Sequence, residues 1–150
     1  MNIRLERVDT SNFRSLIKLK VAQHQVKYIA SNMYTIAEAY VEQHLVPYAI
    51  MAGDEVVGLL ASENNPQDNQ EDRYWVPRFM IGEQFQRKGY GKAAMKLILE
   101  QLTQEPDCDR VRLSVVPENE QAIAFYTNIG FIKTGQINHG EEILEYFARK

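Results

Sequence analysis

Residues 73–102 read RYWVPRFMIGEQFQRKGYGKAAMKLILEQL, a β-rich apolar run followed by a turn with two close glycines and then an apolar pattern of helical period. Residues 73–81, RYWVPRFMI, are β-rich and apolar enough for a strand in the middle of a sheet. Pro77 within it has no N–H to give a neighbouring strand, which predicts a bulge or a splay there. Beyond the glycines, Ala93, Ala94, Leu97, Ile98 and Leu102 predict a helix of about four turns. Strand, glycine loop and helix in this order gather backbone N–H groups, the positive end of a helix dipole and the cations Arg87, Lys88 and Lys92 around one point. That is the chemistry of an anion site. The bland alternative is a loop of solvated cations.

Working outward, Ile3, Leu5 and Val8 suggest a first strand, and Phe13, Leu16 and Ile17 a helix behind the capping residues Asp9 to Asn12. Thr35-Ile36-Ala37-Glu38 has the form of a capping box, predicting a short helix to about His44 that Pro47 closes. Residues 48–62 read as two strands about a Gly53-Asp54-Glu55 turn. Residues 63–72 contain Glu63, Asp68, Glu71 and Asp72 with no Lys or Arg, and their Asn, Pro and Gln content predicts an exposed loop. Residues 110–116 form a strand, Asn119 to Ile129 a helix stopped by Gly130, and the C-terminal segment a hairpin about Asn138-His139-Gly140. The order β-α-α-β-β-β-α-β-α-β-β predicts an α/β (α+β) protein with a mixed, mostly antiparallel sheet flanked by helices, in one domain over residues 1–150.

A formal net charge of -3 over 150 residues gives no basic excess for nucleic acid or an anionic membrane. No run approaches the ~20 apolar residues of a membrane span. The N-terminus has Arg4, Glu6, Arg7 and Asp9 where a signal peptide would be apolar. Cys108 stands alone, which excludes an intrachain disulfide and favours a reducing, cytoplasmic location. It reads as a small semi-buried residue rather than a nucleophile. His24, His44 and His139 lack the spacing and carboxylate company of a metal site, so no metal is expected.

Three readings of the glycine loop compete. A Walker loop fails, because Gln86 stands at the first glycine position and Ala93 follows Gly91-Lys92. Gly89-x-Gly91-x-x-Ala94 satisfies a dinucleotide fingerprint, with Asp109 downstream, but residues 82–88 separate the strand from the glycines and too little chain follows for a second mononucleotide half. Gln86-Arg87-Lys88-Gly89-Tyr90-Gly91 resembles the Q/R-x-x-G-x-G/A signature of the GNAT superfamily of N-acetyltransferases. Asn119, Ala122, Phe125-Tyr126 and Gly130-Phe131 resemble its second motif.

The resemblance implies a GNAT fold with a sheet splayed after strand 4, and acetyl-CoA as donor. It implies that residues 86–92 (Gln86, Arg87, Lys88, Gly89, Tyr90, Gly91 and Lys92) hold the pyrophosphate. Backbone groups of Phe79, Met80 and Ile81 would meet the pantetheine arm, along with Asn119, which serves equally well as a helix cap. The chemistry is attack of a neutral amine on a thioester, directly within a ternary complex. An amine with pKa ~10.4 must first lose a proton. The oxyanion needs a donor, for which the Met80 N–H is the family-style candidate. Tyr126 matches the family's general acid, although a Tyr on an apolar helix face also suits a core. Many relatives carry a Glu base on strand 4, and this chain has none there. Glu63 is the candidate in its place, with a solvated hairpin residue or a water wire as alternatives.

The first helices and WVPRFMI resemble bacterial spermine/spermidine acetyltransferases within the superfamily, which implies a small polyamine acceptor. The acidic residues of 63–72 and Glu141, Glu142 and Glu145 would attract a polycation. Tyr28, Tyr48, Trp75 and Arg78 are candidate acceptor contacts. Another small amine, a protein amine and a non-catalytic CoA-binding regulator stand as alternatives. Ile143, Leu144, Tyr146 and Phe147 either pair across a homodimer or complete the core.

Overall fold

The computed structural model describes residues 2–149. The chain runs β1 (Ile3–Arg7), α1 (Phe13–Lys18), α2 (Asn32–Val41), β2 (Leu45–Ala52), β3 (Glu55–Asn64), β4 (Tyr74–Ile81), α3 (Tyr90–Thr103), β5 (Arg110–Val115), α4 (Glu120–Ile129), β6 (Ile132–Asn138) and β7 (Glu141–Phe147). Short 3-10 turns cover Gln23–Tyr28, Gln70–Asp72 and Glu83–Phe85. The strands make one seven-stranded sheet in the order β1-β2-β3-β4-β5-β7-β6. Neighbours are antiparallel except β4 and β5, which run parallel.

The sheet is packed on both faces, which is why the central strands are apolar on alternate residues and again on the residues between. Val57, Leu60 and Val76 bury themselves with Ala94, Met95, Ile98 and Leu99 of α3. Ala49, Met51, Leu59 and Met80 pack with Leu16 of α1 on the other side.

The functional feature of the fold is the β4–β5 seam. The two strands meet at a single pair, Trp75 with Arg112, and diverge from there. The β3–β4 register shifts between Ala61 and Glu63, so that Val76 and Pro77 together face Ser62. This is the irregularity that Pro77 predicted, and the bulge bends β4 away from β5. The closed end is pinned by charge. Arg112, 3% exposed, donates from Nε to Glu145 of β7 at 2.8 Å and from its two terminal nitrogens to Asp72 and Gln136, each at 3.1 Å. Arg110 adds a 3.0 Å bond to the same Glu145 oxygen.

Several boundaries differ from the sequence expectation for local reasons. The second helix starts at Asn32, because Ser31 and not Thr35 is the cap: its hydroxyl accepts the Tyr34 N–H at 3.1 Å. Glu38 does not fold back as a capping-box carboxylate and instead reaches Arg78 on β4 at 3.2 Å. The helix ends at Val41, and Pro47 lies inside β2 opposite Ala61, past the last β1 partner at Tyr48. Glu55 already belongs to β3, which continues through Glu63 to Asn64. On α3, Met95 and Leu99 are buried and Leu97 faces outward. Ile143 and Leu144 are buried within the chain's own core, and Phe147 is exposed beneath the Arg110 guanidinium.

Candidate active site

A cleft of about 630 Å³ opens where β4 and β5 part. Its floor is the edge of β4. The Gly82 N–H donates to the Val57 carbonyl at 2.9 Å, and the register from Gly58–Ile81 to Ala61–Arg78 is unbroken. Antiparallel alternation then turns the main chain of Met80 toward β3 and those of Phe79 and Ile81 toward the gap. The Met80 carbonyl lies so close to Gly58 that a Cβ there would clash with it. The expected oxyanion donor at Met80 is therefore corrected: its N–H faces the β3 ladder, and the gap-facing N–H groups are those of Phe79 and Ile81.

The glycine loop closes one end. Phe85 is buried as its anchor. The Gln86 amide donates to the Ile81 carbonyl and to the Gln25 side chain, each at 2.9 Å. Arg87 and Gly89 both have positive φ, 65° and 84°, and such left-handed positions turn successive N–H groups inward. The N-terminus of α3 has no side-chain cap, whereas Ser31 and Asn119 cap α2 and α4. The first N–H groups of α3 thus remain available to an anion. Gly91 is closely packed: a Cβ there would sit 3.1 Å from the Phe79 ring, 3.4 Å from the Ile81 side chain and 3.4 Å from the Phe125 ring.

Helix α4 forms the second wall. The Asn119 side chain accepts the Ala122 N–H at 3.2 Å, filling the cap role, and also lines the cleft. Tyr126 lines it too, held edge-on against Phe79, Phe125 and Phe131 at centroid distances of 6.3, 5.3 and 5.7 Å. Burial raises its phenol above the ordinary tyrosine value, so the hydroxyl keeps its proton.

The opposite wall comes from Val21, Gln25, Tyr28, Ile29 and Ala30, with Val76 to Arg78 of β4. Arg78 is held by Glu38 and by the Pro77 carbonyl, and its Nε is buried without a hydrogen-bond partner. Most of the residues singled out in the sequence are therefore gathered around one cleft: Tyr28, Arg78, Phe79, Met80, Ile81, Gln86, Arg87, Gly89, Tyr90, Gly91, Lys92, Asn119 and Tyr126.

Four stand outside its lining. Glu63 pairs with Trp75 in the ladder and accepts from Asn65 at 3.1 Å. The Trp75 indole donates to the Asp72 carbonyl at 2.9 Å at the pinned end of the seam. Tyr48 accepts from Gln101 of α3 at 3.3 Å. Lys88 is exposed at the loop tip. Residues not singled out as site groups also face the cleft, including Gln25, Ser114 and Glu141. Glu141 alone had a sequence signal, as one of the acidic residues of the last hairpin. Among the described residues no group of three or more His, Cys, Asp or Glu is placed to hold a metal, and no helix is long and apolar enough to cross a membrane.

Residues 13–131 match the acetyltransferase (GNAT) family. The chain belongs to that family. It is an acetyl-CoA-dependent N-acetyltransferase with the GNAT fold. It is 30% identical over 148 residues to the spermine/spermidine N(1)-acetyltransferase of Bacillus subtilis, covering 96% of this chain and 97% of the relative. Among solved structures, the GNAT fold recurs in aminoglycoside acetyltransferase AAC(6')-Ib in complex with coenzyme A, with a TM-score of 0.79 at 16% identity over 97% of this chain and 95% of that one. It recurs also in the spermidine N-acetyltransferase of Vibrio cholerae in complex with CoA and spermine, with a TM-score of 0.72 at 14% identity over 97% and 95% of the two chains. At such identities the likeness is one of fold.

Proposed function

We propose that this GNAT enzyme acetylates a primary amine of a polyamine such as spermidine or spermine, and that transfer is direct, within a ternary complex. The observation that carries direct transfer is the parted β4–β5 seam, where the glycine loop, the open main-chain edge of β4 and Tyr126 line one cleft. The polyamine reading is supported by the whole-length similarity to the Bacillus subtilis enzyme.

The chain's groups suit the donor. Inward N–H groups of residues 87–92, with the Arg87 and Lys92 charges, would hold a pyrophosphate. The gap-facing groups of Phe79 and Ile81 would pair with the amides of the pantetheine arm, as a strand edge pairs with a peptide. The acceptor would enter along Tyr28, Ile29 and Val76 to Arg78. An ammonium proton leaves before attack; nitrogen then bonds to the thioester carbon, and the oxyanion takes a hydrogen bond from the Phe79 N–H. As the carbon–sulfur bond breaks, Tyr126 gives its proton to sulfur and is reprotonated from the new amide nitrogen. The balance is one acetylamine, one thiol and one proton released.

Thiol release from acetyl-CoA tests the acceptor, measured with spermine, spermidine, putrescine, lysine, an aminoglycoside and a lysine-containing peptide. The expected result is the highest kcat/KM with spermidine or spermine. Turnover confined to another amine would discard the polyamine reading and keep acetyl transfer.

A further inference from the structure

The charges around the cleft leave one group without a task in this mechanism. Arg87 and Lys92 belong to the pyrophosphate loop, and Arg78 is paired with Glu38. Glu141 is the one carboxylate among the described residues lining the cleft. It opens β7 at the tip of the last hairpin, opposite Asn138 and one residue beyond the last β5–β7 partner pair, Val115 with Glu142. His139 and Gly140 before it have positive φ, 52° and 80°, so a tight primed turn fixes where the side chain begins. The Ser114 hydroxyl of β5 donates to Glu141 Oε1 at 2.8 Å. A carboxylate offers about four acceptor positions, and this bond occupies one. Glu141 belongs to none of the ion pairs formed among the described residues.

A carboxylate aligned by a hydroxyl, half-buried in a cleft whose other charges are cationic, is a receptor for a cation brought by a ligand. We infer that Glu141, positioned by Ser114, binds an ammonium group of the acceptor and sets the preference for amines with more than one positive charge. The inference rests on the amine-acetyltransferase reading above and names the residue that selects the substrate. Ser114 acts through Glu141 and is a positioning residue.

The test compares steady-state kinetics of wild type, Glu141→Gln, Glu141→Asp and Ser114→Ala with butylamine, putrescine and spermidine. For Glu141→Gln the acceptor KM for spermidine should rise roughly tenfold or more, the scale of a lost charge-assisted hydrogen bond. The KM for butylamine should change far less, and that for acetyl-CoA should stay at the wild-type value, which also reports that the variant is folded. Glu141→Asp should recover part of the spermidine preference, and Ser114→Ala should lose part of it. An unchanged spermidine KM in Glu141→Gln, or an equal rise for butylamine and spermidine, would overturn the inference while leaving the acetyltransferase reading intact. A wild-type enzyme that binds acetyl-CoA and acetylates none of the three amines would defeat the polyamine reading, and the ammonium role of Glu141 with it.

Discussion

Tyr126 meets three aromatic rings before it meets a substrate. That packing holds the side chain at the cleft wall, and its burial raises the pKa of the phenol. Removing the oxygen alone should expose its role: Tyr126→Phe keeps the ring contacts and should lower kcat by ~10²–10⁴, the range of general acid catalysis, with acetyl-CoA affinity unchanged. Equal kcat at saturating substrates would take Tyr126 out of the mechanism. A raised pKa keeps the acid form populated as pH rises. The wild-type kcat/KM should therefore climb with pH as the acceptor amine (pKa ~10.4) loses its proton, without a descending limb below pH ~10. A bell with an alkaline limb near pH 8 would contradict this. Gly91 gives a second residue-scale prediction. Valine there would push into Phe79 and Phe125, so the variant should lose about 1–3 kcal/mol of stability in urea unfolding; an unchanged midpoint would mean the rings yield freely. The glycines and Tyr126 were legible because their motif spacing is local. What the sequence could not say is that Gly91 answers to neighbouring side chains, since those rings arrive from β4 and α4.

Among elements, the β4–β5 seam depends on opposite devices at its two ends. Pro77 and the bulge open it, while Arg112, Glu145, Asp72 and Gln136 hold the far end shut. A buried pair costs most when broken on one side, because the remaining charge has no water to return to. Glu145→Ala should cost about 3–5 kcal/mol, read from the urea midpoint, whereas joint replacement of Arg112 and Glu145 by Met and Leu should cost much less. Similar losses for both variants would mean that the network acts through shape rather than charge. The order of elements and the splay were readable from periodicity, caps and Pro77. The start of α2 was not, because Thr35 and Glu38 satisfy a capping-box pattern while Ser31 holds the cap and Glu38 is drawn to Arg78. Nor was the choice between Met80 and Phe79 readable, since only the register against β3 decides which N–H groups face the gap.

At the scale of the whole molecule the two halves of the site have different origins. The proposed donor side is built from residues within Phe79 to Lys92 and Asn119 to Tyr126, two nearly contiguous stretches. The proposed acceptor wall collects Gln25, Tyr28 to Ala30, Val76 to Arg78, Ser114 and Glu141, segments that only tertiary packing brings together. That is why the glycine loop could be read from the sequence as one cluster, whereas Glu63, Tyr48 and Trp75, whose place depends on the packing, stand off the cleft. The Gln25–Gln86 hydrogen bond joins the two halves. Its loss in Gln25→Ala should raise the acceptor KM several-fold and leave coenzyme binding near wild type; a larger effect on acetyl-CoA would place Gln25 with the donor site instead. If amine and acetyl-CoA meet in one cleft and react without an acyl-enzyme, initial rates with spermidine and acetyl-CoA both varied carry the signature of a ternary complex. Intersecting double-reciprocal lines are the predicted result; parallel lines, the mark of an acyl-enzyme released before the amine binds, would contradict it.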